Sequence, residues 1–204
     1  MLTADQVDSR ASHDRVPEAL SALATPGDVL LGFERTVGDE IQALTADPAT
    51  LVAAVITLTR LGGWRIGIGL GAVETPLPSS TREARGSAYI AAREAITRAR
   101  KQPTDLALTL AATVGTDHYR ETAGRDAETA LMLLRSLLAR RTQEGWELMD
   151  LLDADPSSRH AAAALGISPS AVSQRLARAA RQEGARGAEL ATHLLARLLD
   201  EEAP

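Results

Sequence analysis

Two groups of side chains in this sequence are equipped for chemistry. Ser170, Ser173, Gln174, Arg175, Arg178 and Arg181 are spaced to share one face of a short helix, whose inner stripe is Val172, Leu176 and Ala179. Gln and Arg forks read base edges and Arg grips phosphate, so such a face suits double-stranded DNA. The second group is acidic: Asp5, with Asp8 close by, and Asp39-Glu40 behind Gly38. Two aspartates presented by adjacent strands can hold a divalent ion such as Mg²⁺, which takes hard oxygen ligands and keeps positions open for a nucleotide's phosphates. Turns also favour aspartate for conformational reasons alone, in which case the acids are solvated or paired, with Arg10 or Arg35 as candidate partners.

The cationic face needs a helix-turn-helix to present it. Ser157 or Ser158 can cap a first short helix through Ala161 to Ala164, Gly166 allows the left-handed exit, and Ile167 is expected as a buried plug. Ser168 caps the second helix with Pro169 at its first position. Small alanines let the two helices approach closely. The alternative is a helical hairpin used only for packing.

The acidic group needs strands. Leu2 to Val7 reads as a strand, a helix carries Val16, Leu20 and Leu23, and Asp28 to Val37 and Glu40 to Leu44 make a hairpin about Gly38-Asp39. Pro48 opens a helix that Gly62-Gly63 stops near Leu61. Trp64 to Val73 alternates as a strand despite Gly67, Gly69 and Gly71, which suit a close approach of another backbone. A helix over about 87–100 and a strand over 106–111 follow. From Asp117 only helical periods remain, so the expected domains are residues 1–115, α+β, and 116–204, all-α, with the helix-turn-helix at about 158–181. Leucine-rich stretches at 131–138 and 190–199 offer seams for a homodimer, unless they are satisfied internally.

Bulk properties narrow the classes. The 204 residues carry a net charge of -5 and no cysteine, which excludes thiolate chemistry and suits a cytoplasmic location. No apolar stretch reaches membrane-spanning length and no secretory signal is visible, so no membrane partner is expected. Within this acidic chain, residues 157–186 hold five arginines against Glu183 alone. The four histidines lack ligand spacing, and the glycines at 67, 69 and 71 lie inside a strand, so a dinucleotide loop is excluded.

Residues 163–176, Ala-Ala-Leu-Gly-Ile-Ser-Pro-Ser-Ala-Val-Ser-Gln-Arg-Leu, resemble the helix-turn-helix of sigma-factor region four. Asp5 with Ser9-Arg10, then Gly38-Asp39-Glu40-Ile41-Gln42-Ala43-Leu44, resembles the SatD family of bacterial proteins, with Ala4 where that family usually has glycine. The element order looks like the ferredoxin-like palm of nucleotidyl cyclases. That resemblance implies Asp5 and Asp39 as a metal pair and Arg10 and Arg93 as ligand-binding residues. The cyclase substrate helix, however, is matched here by Ile90 in place of a polar donor and by Arg93 one residue out of step. The combined expectation is a DNA-binding regulator with a non-catalytic cyclase-like sensing or assembly domain. The alternatives are a metal-dependent nucleotide-processing enzyme and a protein-binding structural module.

Overall fold

The structure, a computed structural model, describes residues 1–24, 27–112 and 118–200. Five strands, β1 (Leu2–Gln6), β2 (Leu31–Arg35), β3 (Glu40–Leu44), β4 (Trp64–Leu70) and β5 (Leu106–Leu110), form one sheet in the order β2-β3-β1-β4-β5. The pairings β2–β3, β3–β1 and β1–β4 are antiparallel, and β4–β5 is parallel. The helices among them are α1 (Val16–Leu23), α2 (Pro48–Leu61) and α3 (Ser87–Ala99). The bounds of α2 follow from its ends. The Asp47 carboxylate accepts from the N–H groups of Ala49 and Thr50, and Gly62 leaves the helix at a positive φ of 65°.

Strand alternation sorts the sheet into two faces. Leu2, Ala4, Ile41, Ile66 and Ile68 enter the main core with Leu51, Val55 and Leu58 of α2. Thr3, Asp5, Glu40, Gln42, Arg65, Gly67 and Gly69 lie on the opposite face, which α3 covers over β4 and β5 and reaches at β1, leaving β3 and β2 open. There the strand glycines do what the sequence suggested. A Cβ at Gly67 would stand 2.5 Å from the backbone nitrogen of Ile96, so α3 rests directly on the strand backbone.

An all-helical part follows: α4 (His118–Leu138), α5 (Gln143–Ala154), α6 (Ser158–Leu165), α7 (Pro169–Arg178) and α8 (Arg181–Asp200). The expected boundary between residues 115 and 116 lies outside the described residues. Two of these helices return to the α/β part, α4 against β5 and α2, and α8 against α2 and α4: Leu131, Leu134 and Leu138 of α4 and Ala191, Leu195 and Leu198 of α8 belong to the main core. The leucine seams expected to pair two chains are therefore largely satisfied internally, with Leu133 and Leu190 left exposed. Arg135 of α4 is buried and donates to the carbonyls of Trp64 and Asp105 at the start of β4 and beside β5; burial pushes its pKa down to about 10. Helices α5, α6 and α7 enclose a separate small core of Leu148, Met149, Leu152, Ala161, Ala162, Val172 and Ala179. Among the described residues no helix is long and apolar enough to cross a membrane.

Candidate functional site

Local chemistry builds the α6–α7 turn. The Ser157 hydroxyl accepts from the N–H of His160, Gly166 closes α6 at φ 63° and ψ 31°, and the Ser168 hydroxyl accepts from the N–H of Ala171. Val172 is fully buried beneath α7, while Ile167 is half-buried rather than a sealed plug. On the outer side Ser170, Ser173, Gln174 and Arg178 are exposed and Arg175 is half-buried. The Ser173 hydroxyl turns back to donate to the carbonyl of Pro169, which leaves Gln174, Arg175 and Arg178 as long side chains without a hydrogen bond among the described residues, Arg175 facing the charge of Glu144. Arg181 does not share that helix. α7 ends at Arg178, Ala180 turns at a positive φ of 50°, and Arg181 opens α8. No glycine or proline marks the break, so the sequence offered no signal for it.

Arg175 and Arg178 line a cleft of about 480 Å³ with Gln174, Arg140 and Thr142. Arg140 is an addition that sequence spacing could not supply, since it comes from the α4–α5 connection. Its neighbour Arg141 donates from Nε to the carbonyl of Ala179 at the end of α7, and its guanidinium lies 4.3 Å from the ring centre of Trp146. Arg60 of α2 also lies over Trp146 and forms a two-pronged pair with Asp150, both distances 2.6 Å. The α/β core is thus joined through Arg60, Trp146 and Arg141 to the carboxyl end of α7.

The acidic group is assembled, but with other partners. Asp5, Asp39, Asp8, Ser9 and Arg10 line one hollow of about 470 Å³. Asp5 is only 7% exposed, and both its oxygens face guanidiniums: Arg65 Nη1 at 3.3 Å and Arg100 Nη2 at 3.2 Å. Neither Arg10 nor Arg35 pairs with it, since Arg35 reaches Asp14. A divalent cation would have to displace two cations from the Asp5 carboxylate, so this arrangement does not fit the expected Mg²⁺ pair of Asp5 and Asp39. Arg93 is absent from this hollow.

Arg93 instead lines a larger cavity, about 710 Å³, over the part of the sheet that α3 leaves open. Thr3, Glu40 and Gln42 are its sheet residues, and Tyr89, Ile90, Arg93 and Ile96 its α3 side. Glu40 accepts from the Thr36 hydroxyl at 2.8 Å and the Gln42 amide at 2.6 Å. Arg82 donates to the carbonyls of Arg35 and Thr36, bracing the hairpin against the loop before α3. Tyr89 has its pKa pushed up by burial and then by the charge of Glu34. No motif announced this cavity. Its residues come from four separate segments, and of them the sequence had drawn attention to Glu40, Ile90 and Arg93 but not to their meeting in one place. Compared with protein-family models, with curated proteins and with solved structures, the chain matches none.

Proposed function

We propose that the chain is a DNA-binding regulator whose α5–α6–α7 unit lays α7 in the major groove of a duplex. The observation that carries this reading is the capped α6–α7 turn with Gln174 and Arg178 exposed and Arg175 half-buried beside them on α7, inside an acidic chain. Gln174 and Arg175 are assigned to base edges, and Arg178 and Arg140 to phosphates. Arg181, at the start of α8, is assigned a flanking phosphate. Two modules acting on symmetric half-sites is the usual way for such a small surface to reach adequate affinity, so a homodimer on DNA belongs to the reading.

The α/β part is read as a ferredoxin-like palm of the nucleotidyl-cyclase kind, in a member of the SatD family, used for sensing or assembly. The strand order β2-β3-β1-β4 with antiparallel pairings supports the palm. The two guanidiniums on Asp5, and Ile90 where a polar donor belongs, support the loss of cyclisation.

The test is retardation of a genomic DNA fragment by the parent and by Arg175→Ala/Arg178→Ala. The double variant should keep its helical circular dichroism and lose affinity, with a salt dependence shallower by roughly 0.9 in log–log slope per phosphate contact removed. Complex stoichiometry reads the dimer in the same experiment. Equal retardation by parent and variant at physiological salt would overturn the assignment.

A further inference from the structure

The cavity between the open sheet face and α3 is unexplained by DNA binding. Thr3, 2% exposed, contributes a buried hydroxyl that has no hydrogen-bond partner among the described residues, and the Tyr89 hydroxyl is in the same condition. Both residues line this cavity. A buried hydroxyl without a partner is destabilising, so two of them on one cavity are groups waiting for an occupant that bonds to them. The opening has the reverse character. Val37 and Ile90, 78% and 66% exposed, are large apolar side chains held in water on the lining.

Charge narrows the occupant further. Arg82, Arg85 and Arg93 line the cavity against Glu40 and Glu74, an excess of one positive charge. Arg82 is engaged with backbone carbonyls and Glu40 with Thr36 and Gln42, whereas Arg85 and Arg93 form no ion pair among the described residues. Tyr89 and Arg93 are four residues apart on α3 and so share a face, which places a hydroxyl and a free cation one turn from each other.

We propose that this cavity binds an organic monocarboxylate with an apolar body and a hydroxyl or carbonyl at its far end. The polar end meets Thr3 and Tyr89, the body is covered by Val37, Ile90 and Ile96, and the carboxylate is held by Arg93 with Arg85. The volume of about 710 Å³ lies within the usual range for small-molecule pockets. The proposal does not depend on the DNA-binding reading, because it is read by direct binding to the full chain.

The experiment is calorimetric titration of the full-length protein with para-hydroxyphenylpropionate, with its uncharged amide, and with para-hydroxyphenyl phosphate. The acid is expected to bind at one site per chain, with the amide and the doubly charged phosphate each weaker by at least roughly tenfold. Arg93→Gln should weaken the acid by a similar factor, and Arg175→Ala/Arg178→Ala should leave it unchanged. Thr3→Val separates a binding hydroxyl from a structural one. It should melt no lower than the parent, because an unpartnered group is removed, yet bind the acid at least roughly fivefold more weakly. Absence of saturable binding, equal binding of acid and amide, tighter binding of the phosphate, or a Thr3→Val variant that melts lower than the parent would each overturn the proposal.

Discussion

Replacing Gly69 by alanine places a methyl group against the backbone of α3. The added Cβ would stand 2.8 Å from the Cα of Ala92 and closer still to the carbonyl oxygen of Ala88 and the nitrogen of Ala92. Ordinary carbon contacts are about 3.5–4.0 Å, so α3 must retreat by roughly 1 Å. The obstructing atoms are main chain, and no rotamer change can relieve them. Overpacking costs about 1–3 kcal/mol where side chains can shift, so Gly69→Ala is expected at about 3 kcal/mol. For a chain of this length that lowers the melting temperature by about 6–12 °C. The sign is diagnostic, because glycine inside a strand is ordinarily worse than alanine by roughly 0.5–1 kcal/mol. Gly32→Ala, inside β2, is the control: a Cβ there meets nothing within 4 Å, so the change should stabilise by roughly 0.5–1 kcal/mol. Thermal melts followed by circular dichroism measure both. A Gly69→Ala protein that melts with the parent would refute the close seating of α3, and with it the cavity wall that Tyr89 and Arg93 supply.

The junction through Arg60 predicts measurable coupling: a double-mutant cycle of Arg60→Ala and Asp150→Ala should give about 0.5–1 kcal/mol, because both side chains are about half exposed. Strict additivity in urea unfolding at low salt would remove the pair from the account. Asp47 predicts a pH effect. Its carboxylate, which accepts from the Thr50 hydroxyl and from two N–H groups, is held below the usual aspartate pKa, so its stabilisation is present above the unfolded-state value and is lost as pH falls through the folded one. Asp47→Ala should therefore cost about 1 kcal/mol at neutral pH, and the gap to the parent should narrow below about pH 4; a gap unchanged at lower pH in denaturant midpoints counts against the capping role.

Much of the element order was legible because its punctuation is local. Asp47 and Pro48 start α2, Gly62 stops it, and Gly166, Ser168 and Pro169 shape the α6–α7 turn through their own backbone preferences. The two glycines of β4, with Gly71 just beyond it, were readable as a close approach for the same reason. What stayed hidden depends on residues brought together from afar. Asp5 meets Arg65 and Arg100 from 60 and 95 positions away, and no local spacing carries that information. The turn at Ala180 has a left-handed backbone without a glycine to announce it. The return of α4 and α8 to the α/β part was left undecided between internal packing and a second chain, since an apolar helical stripe does not say which surface it will cover. Thr3 and Tyr89 could not be singled out at all, because an unpartnered hydroxyl exists only in three dimensions.

The small helical unit departs from α4 and comes back into α8 at nearly one place. A Cβ on Gly184, in the first turn of α8, would lie 3.2 Å from Leu138 at the end of α4 and 3.0 Å from the Arg141 guanidinium. Residues 143–179 are thus held by two neighbouring strands of covalent chain, like a stone in a setting, instead of trailing from one tether. A single proteolytic nick in either connection would not release them. The torsional freedom that a single-tether module surrenders on docking is already absent here, so less of its contact energy is consumed in fixing orientation.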